Sequence, residues 1–171
     1  MKKKYKIMIV IAAVLVLLIG GNFALKHHLM KITMFDGVEF QFDKVTYDTI
    51  IEKFGQPDFQ TDYERARLLD YHEVSFCGYQ ASAEFCVITQ GGLSFASAVI
   101  PADTEEEAKR IKLDIEKRIR AKYPFFSRFF TKIEGNPSDT MVLENVFCYY
   151  TEIKRASDRD PWEWAVEISR E

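Results

Sequence analysis

Cysteine and histidine are scarce, three of each in 171 residues, and the scarcity closes several routes to function. Cys77, Cys86 and Cys148 are an odd number, so at most one internal disulfide forms and one thiol is left over. Each stands beside a phenylalanine (Phe76, Phe85, Phe147), which favours buried thiols acting as small hydrophobes over a disulfide or a reactive site. No C-x-x-C spacing occurs, so the common structural zinc patterns are excluded. His27 and His28 are adjacent and cannot both face one metal from a helix or a strand. Also missing are G-x-S-x-G, H-E-x-x-H, a Gly-rich strand-to-helix loop and an Asp-rich calcium loop. Glycine and proline are sparse, and there is no repeat or low-complexity tract.

One long apolar run is present. Residues 7–19 are apolar without exception, and residues 20–25 extend the run weakly. A helix over residues 7–25 would be roughly 28 Å long, about one hydrocarbon thickness. Lys2, Lys3, Lys4 and Lys6 precede it and no acid does, so the positive-inside tendency keeps the N-terminus cytoplasmic and sends the rest across. An uncleaved signal anchor is favoured over a cleaved signal peptide, because no A-x-A site stands at the exit. No cysteine follows the run closely, which argues against a lipoprotein. The expected organisation is an anchor over residues 1–25, a linker over 26–31 and one extracytoplasmic domain over 32–171.

The first 25 residues hold four of the 23 basic side chains and none of the 26 acidic ones, so the remaining 146 carry a formal −7. That length suits one domain with a sizeable core. An acidic domain has no electrostatic footprint for nucleic acid.

Along the domain, Asp36-Gly37 between apolar stretches predicts a hairpin in which Val38, Phe40 and Phe42 alternate with Glu39 and Gln41. Tyr47, Ile50, Ile51 and Phe54 make one apolar helical stripe. Thr46 caps its start, Gly55 takes the C′ position and Pro57 bars continuation. Val45-Thr46-Tyr47-Asp48 and Ile51-Glu52-Lys53-Phe54-Gly55-Gln56-Pro57 resemble the opening of bacterial cell-envelope domains, the small outer-membrane assembly lipoproteins and the β-lactamase-inhibitor-like domains. The likeness covers about a dozen residues and the helix-then-meander order. It implies an α+β envelope domain and, from its inhibitor-like half, a protein that occludes an enzyme. The lipid-bearing cysteine of the lipoproteins is missing, so lipid anchoring does not carry over. A Gly-x-Pro helix stop in an unrelated fold is the other reading of the same residues.

Residues 66–100 predict an antiparallel meander of three strands, with Gly78 at a bend or bulge and Pro101 ending the third. Residues 103–123 predict a long helix with a Thr104–Glu107 capping box and Pro124 as its stop. Ala108, Ile111, Ile115, Ile119 and Tyr123 form its buried stripe, and Leu113 falls off it. Four acid-before-base i,i+4 pairs lie on its outer face (Glu105–Lys109, Glu106–Arg110, Asp114–Arg118, Glu116–Arg120), each worth roughly 0.2–0.5 kcal/mol. Residues 141–152 are apolar on both faces and predict one central strand. Residues 154–161 predict a charged loop, and residues 162–168 a last strand that buries both tryptophans. There Glu163 and Glu167 would face water and discourage edge pairing. The predicted class is α+β: an antiparallel sheet carrying one short and one long helix, preceded by an N-terminal transmembrane helix.

Candidate chemistry is thin. Asp70 and His72 share one strand face, where a solvated pair is the expected reading. Asp158 and Asp160 sit beside Arg155 and Arg159 in a neutralised turn. No catalytic, cofactor or metal residue is assigned, and no small-molecule substrate is identified. The densest aromatic stretch holds Phe125, Phe126, Arg128, Phe129 and Phe130, and aromatics with arginine are enriched at interface centres. Phe125 and Phe129 are the expected core pair and Phe126, Arg128 and Phe130 the candidate contact with a protein partner; burial of all four phenylalanines under the long helix is the other reading. The functional expectation is a membrane-tethered, non-catalytic binding domain, with an inhibitor- or immunity-type protein as the alternative.

Overall fold

The structure, a computed structural model, describes residues 11, 13–16, 20–21, 31–32, 34–122, 139–143, 147–155 and 162–170. Their architecture is α+β. A short hairpin pairs β1 (Lys31–Ile32) with β2 (Phe40–Gln41). Seven strands form one antiparallel sheet: β3 (Phe59–Asp62), β4 (Ala66–Phe76), β5 (Tyr79–Ile88), β6 (Leu93–Ala102), β7 (Asp139–Leu143), β8 (Phe147–Arg155) and β9 (Trp164–Arg170). Their spatial order is β3-β4-β5-β6-β9-β8-β7. Helix α1 is Tyr47–Phe54 and helix α2 is Glu105–Lys122.

Local chemistry explains the helix ends. Thr46 accepts from the Thr49 amide at 3.2 Å while Thr49 Oγ1 accepts from the Thr46 amide at 3.3 Å, a reciprocal cap. Gly55 closes α1 at φ 81°, donating its amide to the Ile51 carbonyl at 2.9 Å. Thr104 accepts from the Glu107 amide at 3.1 Å, but the Glu107 carboxylate reaches back to the Asp103 amide, one residue short of the expected partner.

Both helices pack on one face of the sheet. From α2 come Ala108, Ile111, Ile115 and Ile119, against Ile100 of β6 and Val166 and Ile168 of β9. Ile50 and Phe54 of α1 belong to the same core, where the Phe54 ring meets those of Phe35, Tyr71 and Phe85. Tyr71 donates its hydroxyl to the Gly55 carbonyl at 3.0 Å, tying β4 to the end of α1. Burial, with Tyr47 and Asp58 adding to it, pushes that phenol up to about 12, so it stays a donor across the neutral range. The Asp36 carboxylate accepts from Ser75 Oγ and from the Gly78 amide, both at 2.5 Å, and so pins residues 34–38 to the β4–β5 turn.

Several expectations need correction. The hairpin is present, but Ile32 pairs with Phe40, so Asp36-Gly37 lies within a longer loop. Of the bend or bulge expected at Gly78, the structure has the bend: with Cys77 (φ 51°) it forms the two-residue turn of a tight hairpin, both residues left-handed. Pro101 does not end β6; it pairs with Ala165 and the strand runs to Ala102. Residues 141–152 are not one central strand. Their apolar residues are shared between β7 and β8, which pair Met141 with Tyr149 and Val142 with Cys148. The charged stretch from Lys154 is strand as far as Arg155. The last strand starts at Trp164 and is interior, so Glu163 and Glu167 guard no edge; both tryptophans are only partly buried. On α2, Arg110 pairs with Glu107 at 2.9 Å, and Lys112 approaches Glu116 at 3.8 Å. The expected Glu105–Lys109 and Asp114–Arg118 pairs form at 2.6 and 2.7 Å.

Residues 7–25 lie mostly outside the described residues. Within them, positions 11, 13–16 and 20–21 are helical, and Ile11, Val14, Leu15 and Val16 are exposed. Among the described residues no helix is long and apolar enough to cross a membrane. Cys77 is buried and Cys86 half-buried, and among the described residues neither forms a disulfide.

Candidate functional site

With both helices on one face, strand alternation decides what the opposite face carries. Ala81, Ala83, Phe85 and Val87 of β5 enter the core, so Ser82, Glu84 and Cys86 point the other way. Register then lines up a row across five strands: Phe59 opposite Asp70, Asp70 opposite Glu84, Glu84 opposite Ser97, Ser97 opposite Ser169. The next row holds Ser82, Val99, Glu167 and Glu152. Among the described residues no helix or strand covers this face.

A cavity of about 440 Å³ opens there, floored by Asp70, Glu84, Ser97 and Glu167 and walled by Phe59, His72, Lys154 and Trp162. A second, of about 480 Å³, shares His72, Ser82, Val99 and Trp162 with it and is lined further by Pro101, Ala81 and Gln80. Both volumes lie in the range of ligand pockets.

The electrostatics of the floor are those of crowded carboxyls. Asp70 and Glu84 stand directly opposite each other on β4 and β5, so their carboxyl groups are neighbours on the cavity floor. Burial pushes Glu84 above its ordinary range; the charge and hydrogen bond of Asp70 and the charge of Glu167 add to this, and Lys154 opposes it. Lys154 Nζ is ion-paired with the Glu167 carboxylate. Ser97 is 6% exposed, and its hydroxyl has no hydrogen-bond partner among the described residues.

These interactions set a stability prediction. Folded Glu84 keeps its proton to higher pH than the unfolded chain, whose ordinary value is 4.5. Folding is therefore least penalised by this group below that value, and stability is lost as pH rises through the folded titration. Glu84→Gln removes the ionised group, so it should raise the urea midpoint at about pH 8 and have almost no effect at about pH 4. A lower midpoint at the alkaline end would show that the ionised carboxylate stabilises the sheet.

His72 and Asp70 do share the cavity-facing side of β4, as alternation predicts. No ion pair joins them; the exposed His72 ring lies 5.3 Å from that of Phe59, and its amide donates to Asp58 Oδ2 at 2.7 Å. Among the described residues no group of three His, Cys, Asp or Glu side chains could hold a metal ion. Phe126, Arg128 and Phe130, with Phe125 and Phe129, lie outside the described residues, as do Asp158 and Asp160. Sequence reasoning missed Glu84, Ser97 and Phe59. The alternation of residues 81–87 signals that Glu84 leaves the core, but nothing local signals that Asp70 and Ser97 flank it. Compared with family models, curated proteins and solved structures, the chain matches none.

Proposed function

We propose that this chain is a membrane-tethered, extracytoplasmic and non-catalytic domain that binds a protein partner through the sheet face opposite its helices. The observation that carries the reading is the acidic cavity on that face: three carboxyl groups and one lysine, with aromatic walls. Such a surface complements a basic partner. The tether is residues 7–25, whose lysine-flanked apolar run has the length of a membrane span, and whose described residues Ile11, Val14, Leu15 and Val16 are exposed. The resemblance of residues 45–57 to cell-envelope domains agrees with this address. The same concave acidic face favours a more specific version, in which the domain occludes a basic secreted enzyme as an inhibitor or immunity protein. Phe126, Arg128 and Phe130 are proposed as a second contact with the partner.

Two measurements test the reading together. Protease added to intact spheroplasts should digest the domain while carbonate washing leaves the chain in the membrane pellet. A photo-crosslinking residue at Gln80 should capture one extracytoplasmic protein, and the same residue at Leu113, on the far side of α2, should not. Protection of the domain from protease, or equal capture from both positions, would overturn the proposal.

A further inference from the structure

The geometry points to the side chain of a partner's arginine as the occupant of the cavity over Asp70, Glu84 and Ser97, an inference that rests on the binding role proposed above. Three observations lead there. The floor is short of positive charge: the carboxyl groups of Asp70, Glu84 and Glu167 face one lysine, Lys154, which is ion-paired with Glu167. Second, Ser97 lines the same cavity, is 94% buried as a residue, and its hydroxyl has no hydrogen-bond partner among the described residues. A buried hydroxyl without a partner costs folding free energy, and a ligand N–H directed at it would recover that cost. Third, among the described residues no group of three His, Cys, Asp or Glu side chains could hold a metal ion, whereas two facing carboxyl groups beside a hydroxyl suit an organic cation with several donors.

A guanidinium meets each requirement. Its planar fork can donate to two neighbouring carboxylates and to a hydroxyl beside them, and its face stacks on aromatic rings such as Phe59 and Trp162 at the cavity wall. An ammonium has fewer donors and no face to stack. The register supports a fixed spacing: Asp70, Glu84 and Ser97 are consecutive members of one cross-strand row, neighbours about 4.7–5.5 Å apart.

The test uses the full chain in detergent micelles, titrated calorimetrically with acetyl-Ala-Arg-Ala-amide and with the same tripeptide carrying citrulline or lysine in place of arginine. Binding of the arginine peptide is expected, with citrulline and lysine each about tenfold weaker or worse. Glu84→Gln and Asp70→Asn should each weaken the arginine peptide about tenfold, and Ser97→Ala about threefold. Thermal unfolding of each variant checks that the fold persists. Equal binding of arginine, lysine and citrulline, no binding at all, or an affinity unmoved by Glu84→Gln in a folded protein would each overturn the inference. The broader binding role is separable: crosslinks from Gln80 that persist when the tripeptide fails to bind remove the arginine pocket alone. A tripeptide that binds where Gln80 captures nothing removes the broader role and leaves the pocket.

Discussion

Phe85→Ala should cost about 3–5 kcal/mol of folding stability, read as a fall in the urea midpoint with an unchanged m-value. The Phe85 ring is fully buried. It lies 5.2 Å from Phe35, 4.9 Å from Phe54 and 5.9 Å from Tyr71, measured between ring centroids. Those neighbours come from the hairpin loop, from α1 and from β4, so no single element can move inward to fill the space. The loss therefore combines the transfer term of the ring with a cavity term. Since whole domains are stable by only about 5–15 kcal/mol, this one change would consume a large part of the margin. Phe85→Leu keeps much of the volume and should cost about half as much or less. A cost for alanine below about 1 kcal/mol would mean that the four rings do not pack as a unit.

The second large effect lies at the other end of the core. Ile115→Ala should cost about 2–5 kcal/mol, while Leu113→Ala on the same helix should stay within about 0.5 kcal/mol. Ile115 is fully buried in the middle of α2, whereas Leu113 is 67% exposed. The helix crosses β6, β9 and β8, joining β6 to a pair of strands that follow it much later in the sequence, so weakening its seat loosens all three. Amide hydrogen exchange should accelerate through β9 in the isoleucine variant and remain unchanged in the leucine variant. Comparable costs at the two positions would contradict the orientation of the helix.

That contrast also marks how far the sequence was legible. The 3.6-residue stripe of α2, the threonine caps and the Gly55 stop were readable because each depends on residues within one or two turns. Leu113 off the stripe had no place in that reading because its place is solvent. Strand β3 was missed: Phe59-Gln60-Thr61-Asp62 is exposed along its whole length and carries no apolar alternation to announce it. The division of residues 141–152 was hidden because two antiparallel strands in succession look like one apolar run. The interior position of β9 was hidden for a related reason, since alternation reports burial of a face and says nothing about neighbours. The cavity suffered the same fate. Asp70, Glu84 and Ser97 are separated by 13 or 14 residues at each step, and only the register of β4, β5 and β6 brings them together.

The placement of β9 has a consequence for synthesis. A chain delivered from its N-terminus completes β3, β4, β5 and β6 first, and β6 then presents an unpaired edge from Ala96 to Ala102 until residues 164–170 arrive. Through that interval an open strand edge can recruit a neighbouring chain. The vulnerable period is thus set by how quickly residues 103–170 follow, a matter of translation or export rate. Yield of the folded protein should respond to that rate, and to chaperones that shield strand edges, more sharply than its equilibrium stability suggests.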